Sequence, residues 1–282
     1  MRVSVITPSF QNSEWLKLCV ASVADQGDAL LEHIVQDARS TDGTADWLGK
    51  DARVKAFFEK DSGMYDAVNR GFDRASGDIV AYLNCDEQYL PGALQKVVEY
   101  FEKHPHIQAC VGDTVVVDAR GNYLCHRLGI VPGSWGTWVR FPVVTSSFFF
   151  RRSLWEDPDV RFDVRWKIFG DLFFVLHLLR RGTRFGVLPS FLSVFSDHGG
   201  NLYLRAKPEE ISRRKNAAPG LVKIFYPCLL AAYWVRLWLR GGLAVKPFSY
   251  EIYSPGSDVR QSHQASQPSL FWAGRSRWKK TT

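Results

Sequence analysis

Apolar residues fall along the chain in two rhythms, short unbroken runs and longer stretches in which they recur three and four positions apart. The run Val3-Ser4-Val5-Ile6 predicts a buried strand, and Trp15, Leu16, Cys19, Val20 and Val23 mark the apolar face of a helix capped by Ser13. Residues 33–35, 54–58 and 79–83 predict further strands, separated by a short helix through Trp47 and Leu48 and a longer one over 64–75. Strands alternating with helices imply right-handed crossovers and a parallel sheet. Pro91 opens another helix to about His104, and residues 109–117 and 123–128 then predict an antiparallel hairpin. A strand at 147–150, a helix at 171–181, a strand at 185–195 and a charged helix at 208–217 complete this part. The pattern is that of an α/β fold, a mainly parallel sheet with helices on both faces.

The rhythm changes at Pro219, which places a boundary between residues 1–219 and 220–282. Residues 219–242 carry a dense apolar body (Leu221, Ile224, Phe225, Leu229, Trp234, Trp238) edged by Lys223, Arg236 and Arg240. Its longest apolar run, 224–235, falls short of the ~18–20 residues that cross a bilayer. It reads either as a helix lying in a membrane interface or as one packed on its own domain. Residues 254–269 are polar and expected to be disordered, and 272–280 combine tryptophan with arginine and lysine.

Composition sharpens this division. With 46% hydrophobic and 23% charged residues, the chain of 282 is globular and neither a disordered polymer nor a disulfide scaffold. Residues 1–220 hold 27 basic and 27 acidic side chains, so the net charge of +7 belongs wholly to 221–282. A nucleic-acid-binding protein would need a basic groove that the neutral body does not offer. A basic aromatic tail instead suits an anionic membrane surface, at ~1 kcal/mol per basic residue. The five cysteines are scattered without a CxxC pair, which fits a reducing cytoplasm. The N-terminus enters a strand without a basic region and long apolar stretch, so no secretory signal is expected.

Ligands of open α/β sheets bind beyond the carboxyl ends of the strands. Four predicted strands end in polar loops: Thr7-Pro8-Ser9, Asp37 with Asp42, Lys60-Asp61-Ser62-Gly63, and Asn84-Cys85-Asp86-Glu87. Neither GxGxxG nor GxxxxGK[ST] is present, which disfavours a dinucleotide dehydrogenase and a P-loop NTPase. A nucleotide could still bind if a metal neutralised its phosphates. The adjacent carboxylates Asp86 and Glu87 would accommodate a hard divalent cation, Mn²⁺ or Mg²⁺.

Together, the N-terminal strand with its Thr7-Pro8-Ser9-Phe10 loop, the segment Asp37-Ala-Arg-Ser-Thr-Asp42-Gly-Thr, the segment from Lys60 through Asn69 to Gly71, and Leu83-Asn-Cys-Asp86-Glu resemble family 2 glycosyltransferases of the GT-A fold. The subgroup they resemble most builds bacterial surface polysaccharide, and the likeness covers about residues 1–200. It implies a donor half (1–105), an acceptor half (106–219), and inverting, metal-dependent transfer of a sugar from a nucleoside diphosphate, a UDP-sugar. On this resemblance Thr7, Pro8 and Asp37 line the nucleobase and ribose pocket, and Gly63 admits close backbone approach. Asn69 orients the diphosphate loop or satisfies buried backbone groups, and Asp86 and Glu87 occupy the metal and ribose position. The sequence departs from the family at Ala38, where a second acid is frequent, and at Glu87, where Asp is usual.

Inversion needs a base for the acceptor hydroxyl. Asp171, in a Gly-Asp-aromatic context opening a helix, is the candidate, with Asp163 as competitor. His198, in Asp197-His-Gly-Gly-Asn after the last strand, could complete the metal shell. The resemblance also implies a saccharide acceptor, linked to a polyprenyl diphosphate at the cytoplasmic leaflet. The enzyme is then expected in the cytoplasm, peripherally attached to the inner face of the plasma membrane through residues 221–282. The competing readings are a GT-A-like domain that binds nucleotide-sugar without turnover and a basic nucleic-acid-binding protein.

Overall fold

Val3 and Val5 point to one side of the first strand and Ile6 to the other, and every residue of that strand is buried. A strand apolar on both faces belongs in the middle of a sheet covered on both sides. The computed structural model, which describes residues 1–242 and 244–271, places it there. In chain order the first half comprises β1 (Val3–Ser9), α1 (Ser13–Ala24), β2 (Leu30–Asp37), α2 (Thr44–Leu48), β3 (Lys55–Phe58), α3 (Met64–Arg74) and β4 (Ile79–Tyr82). These four strands pair in parallel, in the order β3-β2-β1-β4. Ile6, Ile34 and Val80 pack under α3, while Val3, Val5 and Ile79 face α1.

The second half, β5 (Glu87–Tyr89), α4 (Ala93–Lys103), β6 (Ala109–Asp118), β7 (Tyr123–Arg127), α5 (Gly136–Val139), β8 (Phe148–Arg151), α6 (Gly170–Arg180) and β9 (Phe185–Asp197), extends the same sheet with mixed polarity. β8 lies antiparallel between β4 and β6, β9 runs parallel to β6, and β5 runs antiparallel to β9. The last pairing positions the site. The chain leaves β4, turns through residues 84–86 and immediately pairs Glu87 with Phe195, so the end of β9 arrives beside the loop after β4.

Most expected elements are found within a residue or two. Ser13, expected as a cap, is instead the first residue of α1, and its N–H is held from a distance by Asp42 Oδ2 at 2.8 Å. The expected disorder over 254–269 is also overturned. Beyond α7 (Pro208–Ala217), α8 (Gly220–Ile224) and α9 (Tyr226–Leu239), the strands β10 (Phe248–Ile252) and β11 (Gln261–Ala265) form a hairpin. It buries Tyr250, Ile252 and Ala265 against Leu90, Val115, Val117 and Val194. Alternation of polar and apolar residues in a half-buried hairpin resembles a solvated stretch when only composition is weighed. Arg260 then locks the hairpin to the first half of the chain through both oxygens of Asp25, at 2.6 and 2.7 Å. Residues 272–280 lie outside the described residues.

The hairpin is therefore part of the main α/β body. Tyr250→Ala, which removes a ring 4% exposed and a 2.7 Å bond to the Gly121 carbonyl, should lower unfolding free energy by about 3 kcal/mol in urea titrations.

Candidate active site

The end of β9 delivers His198 onto Asp86. Its Nε2 lies 2.9 Å from Asp86 Oδ2, Asn201 Nδ2 donates to the same oxygen at 3.3 Å, and Trp15 from α1 stacks on the imidazole at 5.0 Å. The hydrogen bond to Asp86 raises the His198 pKa above its ordinary value, against the opposing effect of burial. Asp86 and His198 are 17% and 16% exposed, open enough to meet a ligand.

Glu87 is not brought to this opening. Only 1% exposed, it accepts the Asn84 N–H at 2.9 Å, and burial, with Asp86 adding to it, pushes its pKa up to about 8. Turned inward, it braces the turn through the Asn84 N–H. Among the described residues no group of three or more His, Cys, Asp or Glu side chains converges on a metal-sized site. Asp86 and His198 are thus the pair able to hold a divalent cation, which fits a cation whose remaining ligands are phosphate oxygens.

The other sequence-predicted residues divide. Thr7 and Pro8 are buried within β1, and the Thr7 hydroxyl meets His33 Nε2 at 2.8 Å, so neither side chain reaches the cleft. Asp37 is wholly buried and accepts the N–H and hydroxyl of Ser40, both at 2.7 Å. It shapes the loop in which Arg39 is forced to a φ of +63°. Asn69 makes a reciprocal pair with the backbone of Phe162, donating at 2.9 Å and accepting at 3.0 Å, which realises the backbone-satisfying role. Gly63, at a φ of +129°, starts α3, and Lys167 Nζ reaches the Ser62 carbonyl beside it. The exposed groups at this edge are Phe10, 62% exposed, with Gln11 and Arg39.

Asp171 opens α6, partly buried, its Oδ1 accepting the Leu172 N–H at 2.7 Å with the Tyr65 hydroxyl at 3.5 Å. Tyr65 also bonds the Ile168 carbonyl at 2.9 Å and the Asp171 N–H at 3.2 Å. Gly170 permits this approach, since a Cβ there would sit 2.5 Å from the Tyr65 ring. Burial raises the Asp171 carboxyl to about 6, with its hydrogen bonds pulling the other way. Tyr82, on the strand that leads to Asp86, lines the same small internal space as Asp171, and burial pushes its hydroxyl up. Asp163 instead forms a two-oxygen bond with the exposed Arg165.

Comparison with known proteins gives this arrangement its family. Residues 4–165 match the profile described as "Glycosyl transferase family 2". The chain belongs to this family. It is 26% identical over 235 residues to an uncharacterized glycosyltransferase of Nostoc sp., covering 78% of this chain and 72% of that one. Shorter likenesses join it to TuaG of Bacillus subtilis, named for teichuronic acid biosynthesis (38% over 103 residues, 35% of this chain and 41% of that one). Another is to GalNAc(5)-diNAcBac-PP-undecaprenol beta-1,3-glucosyltransferase of Campylobacter jejuni (33% over 104 residues, 35% and 34%). The chain thus spans less than half the length of these two relatives. Among solved structures, S. aureus TarS 1-349 in complex with UDP-GlcNAc superposes with a TM-score of 0.59 at 18% identity, covering 85% of this chain and 73% of that one. The glycosyltransferase thus has the GT-A fold.

The family 2 glycosyltransferase also contains site residues that sequence reasoning missed. Trp15 and Asn201 hold His198 and Asp86, and Phe10 offers a flat exposed face at the β1 edge. An aromatic directly after Thr-Pro-Ser at a strand end was the available signal for Phe10. Glu87→Gln, which preserves the shape of the protonated acid, should retain turnover. Glu87→Ala should lose about 2 kcal/mol of stability by leaving the Asn84 N–H without its partner, read from urea melts.

Proposed function

We propose that this family 2 member is an inverting glycosyltransferase that moves a sugar from a UDP-sugar to a lipid-linked saccharide in the building of a bacterial surface polysaccharide. The observation that carries the reading is the meeting of Asp86 and His198 beyond the end of β4, in a chain whose residues 4–165 match family 2. TuaG, the Campylobacter transferase and TarS support the substrate classes by their names.

In this reading Asp171 takes the proton from the acceptor hydroxyl as its oxygen forms a bond to the anomeric carbon. The bond from that carbon to the diphosphate breaks on the opposite face, so configuration inverts. Asp86 and His198 would hold a Mn²⁺ or Mg²⁺ ion, whose chemistry is to stabilise negative charge on the departing diphosphate. A carboxyl held near 6 suits the base role, being ionised at neutral pH yet basic enough to accept a proton. Phe10 provides a stacking surface for the nucleobase. The test is thermal-shift titration with nucleoside diphosphate sugars and Mn²⁺. A rise confined to one nucleotide class supports the reading, and no response to any donor rejects it.

The acceptor's lipid brings in the C-terminal helices. No helix among the described residues is long and apolar enough to cross a membrane. Val222 and Leu237 pack on the catalytic body, so the helices do dock on their own domain. Their other side exposes Ile224, Trp238 and Leu239 at 70%, 62% and 71%. Between Glu210 and Glu251 the sequence has no acidic residue, while Lys223, Arg236 and Lys246 are exposed. An apolar aromatic face with a basic border fits the interface of an anionic membrane. Trp238→Glu combined with Leu239→Glu should cut sedimentation with phosphatidylglycerol vesicles by more than about tenfold. Equal sedimentation of the variant and the parent would reject this attachment.

A further inference from the structure

Helix α7 has no buried residue of its own, yet it is fastened along the segment that leads into Asp171. Glu210 Oε1 accepts three successive backbone N–H groups, from Lys167 at 2.9 Å, Ile168 at 2.8 Å and Phe169 at 3.3 Å. One turn later, Arg213 lies over the Trp166 ring at 3.8 Å and donates to the Arg165 carbonyl at 2.8 Å. Arg214 lies over the Phe169 ring at 5.1 Å and donates to the Trp138 carbonyl at 3.2 Å. Phe169 is the residue at the N-cap of α6, and the Ile168 carbonyl accepts the Tyr65 hydroxyl that also reaches Asp171. A helix with nothing to bury would ordinarily be held weakly. Here a single carboxylate oxygen orders three N–H groups and two guanidinium groups clamp the aromatic residues between them.

We propose that α7 is a positioning device for Asp171, in which Glu210 fixes the backbone entering α6 and Arg214 holds the Phe169 ring at its N-cap. The inference rests on the reading of Asp171 as the base. Without these contacts residues 167–169 would be free to shift, and with them the first turn of α6 and the Asp171 carboxyl, away from the place set by the Tyr65 hydroxyl.

The experiment measures UDP release from UDP-GlcNAc with Mn²⁺ as a function of pH. Arg214→Met should lower kcat several-fold with donor KM nearly unchanged, and Arg214→Lys, which keeps the charge over the Phe169 ring, should recover part of it. Glu210→Ala should lower kcat by about tenfold at every pH without moving its acid limb, and Glu210→Gln, still an acceptor, should recover most of it. A kcat in Glu210→Ala equal to the parent's overturns the inference. So does a kcat loss in Glu210→Ala that Glu210→Gln does not relieve. Asp171→Asn separates the two levels: a variant as active as the parent rejects the base reading itself, whereas an inactive one leaves the Arg214 and Glu210 results to judge the positioning role alone.

Discussion

Asp171→Asn should reduce sugar transfer by about 10²–10⁴-fold, the range that a positioned general base contributes, while UDP-sugar affinity stays within about twofold. The side chain is isosteric, and the amide oxygen can still accept the Leu172 N–H, so α6 keeps its start and the variant keeps its fold. The same carboxyl sets a pH limit. It is raised to about 6, and only its ionised form accepts a proton, so kcat should fall about tenfold per unit below that value and level off above it. The sign for stability is the reverse of that for activity. A carboxyl that binds its proton more tightly folded than unfolded stabilises the fold at low pH, and that contribution fades as pH rises from about 4 to about 6. Asp171→Asn should therefore flatten both curves in that window. An acid limb that survives the substitution would assign it to another group.

Asp86→Asn should have the second large effect, a loss of about 10²–10³-fold in turnover, because a neutral amide no longer attracts a cation or holds the proton shared with His198. Binding of Mn²⁺ with UDP, measured by calorimetry, should weaken in parallel. His198→Ala should weaken the same binding less, since Asp86 keeps its charge. Metal-dependent UDP binding equal in Asp86→Asn and the parent would remove Asp86 from this role.

The parallel half was readable because β1 and β4 are buried runs followed at once by their polar loops. Asp86 was singled out by that rule, whereas Asp171 came from the Gly-Asp-aromatic context of its helix and His198 from the segment after the last strand. Side-chain direction was not readable. Thr7 and Asp37 stand at strand ends, where a ligand belongs, but their polar atoms turn inward to His33 and Ser40. Glu87 follows Asp86 in sequence, but it opens β5 and its carboxyl is buried, folded back onto the Asn84 N–H. The brace of Glu210 on residues 167–169 was hidden for a different reason: its partners are backbone N–H groups some forty positions away, which no local pattern records. The hairpin over 248–265 was missed because its surface alternates, and a composition average cannot tell a half-buried strand from a solvated segment.

The joint between β5 and β9 has an evolutionary consequence. The match to the family profile ends at residue 165, so it includes Asp86 but neither Asp171 nor His198. The matched stretch meets the stretch beyond it where Glu87 pairs with Phe195 and Asp86 contacts His198. At that seam a change on one side demands an answer on the other. In an alignment of close homologues, residues 84–87 and 195–201 should vary as a set, and chimeras that exchange the stretch beyond residue 165 should work when the seam is transferred whole.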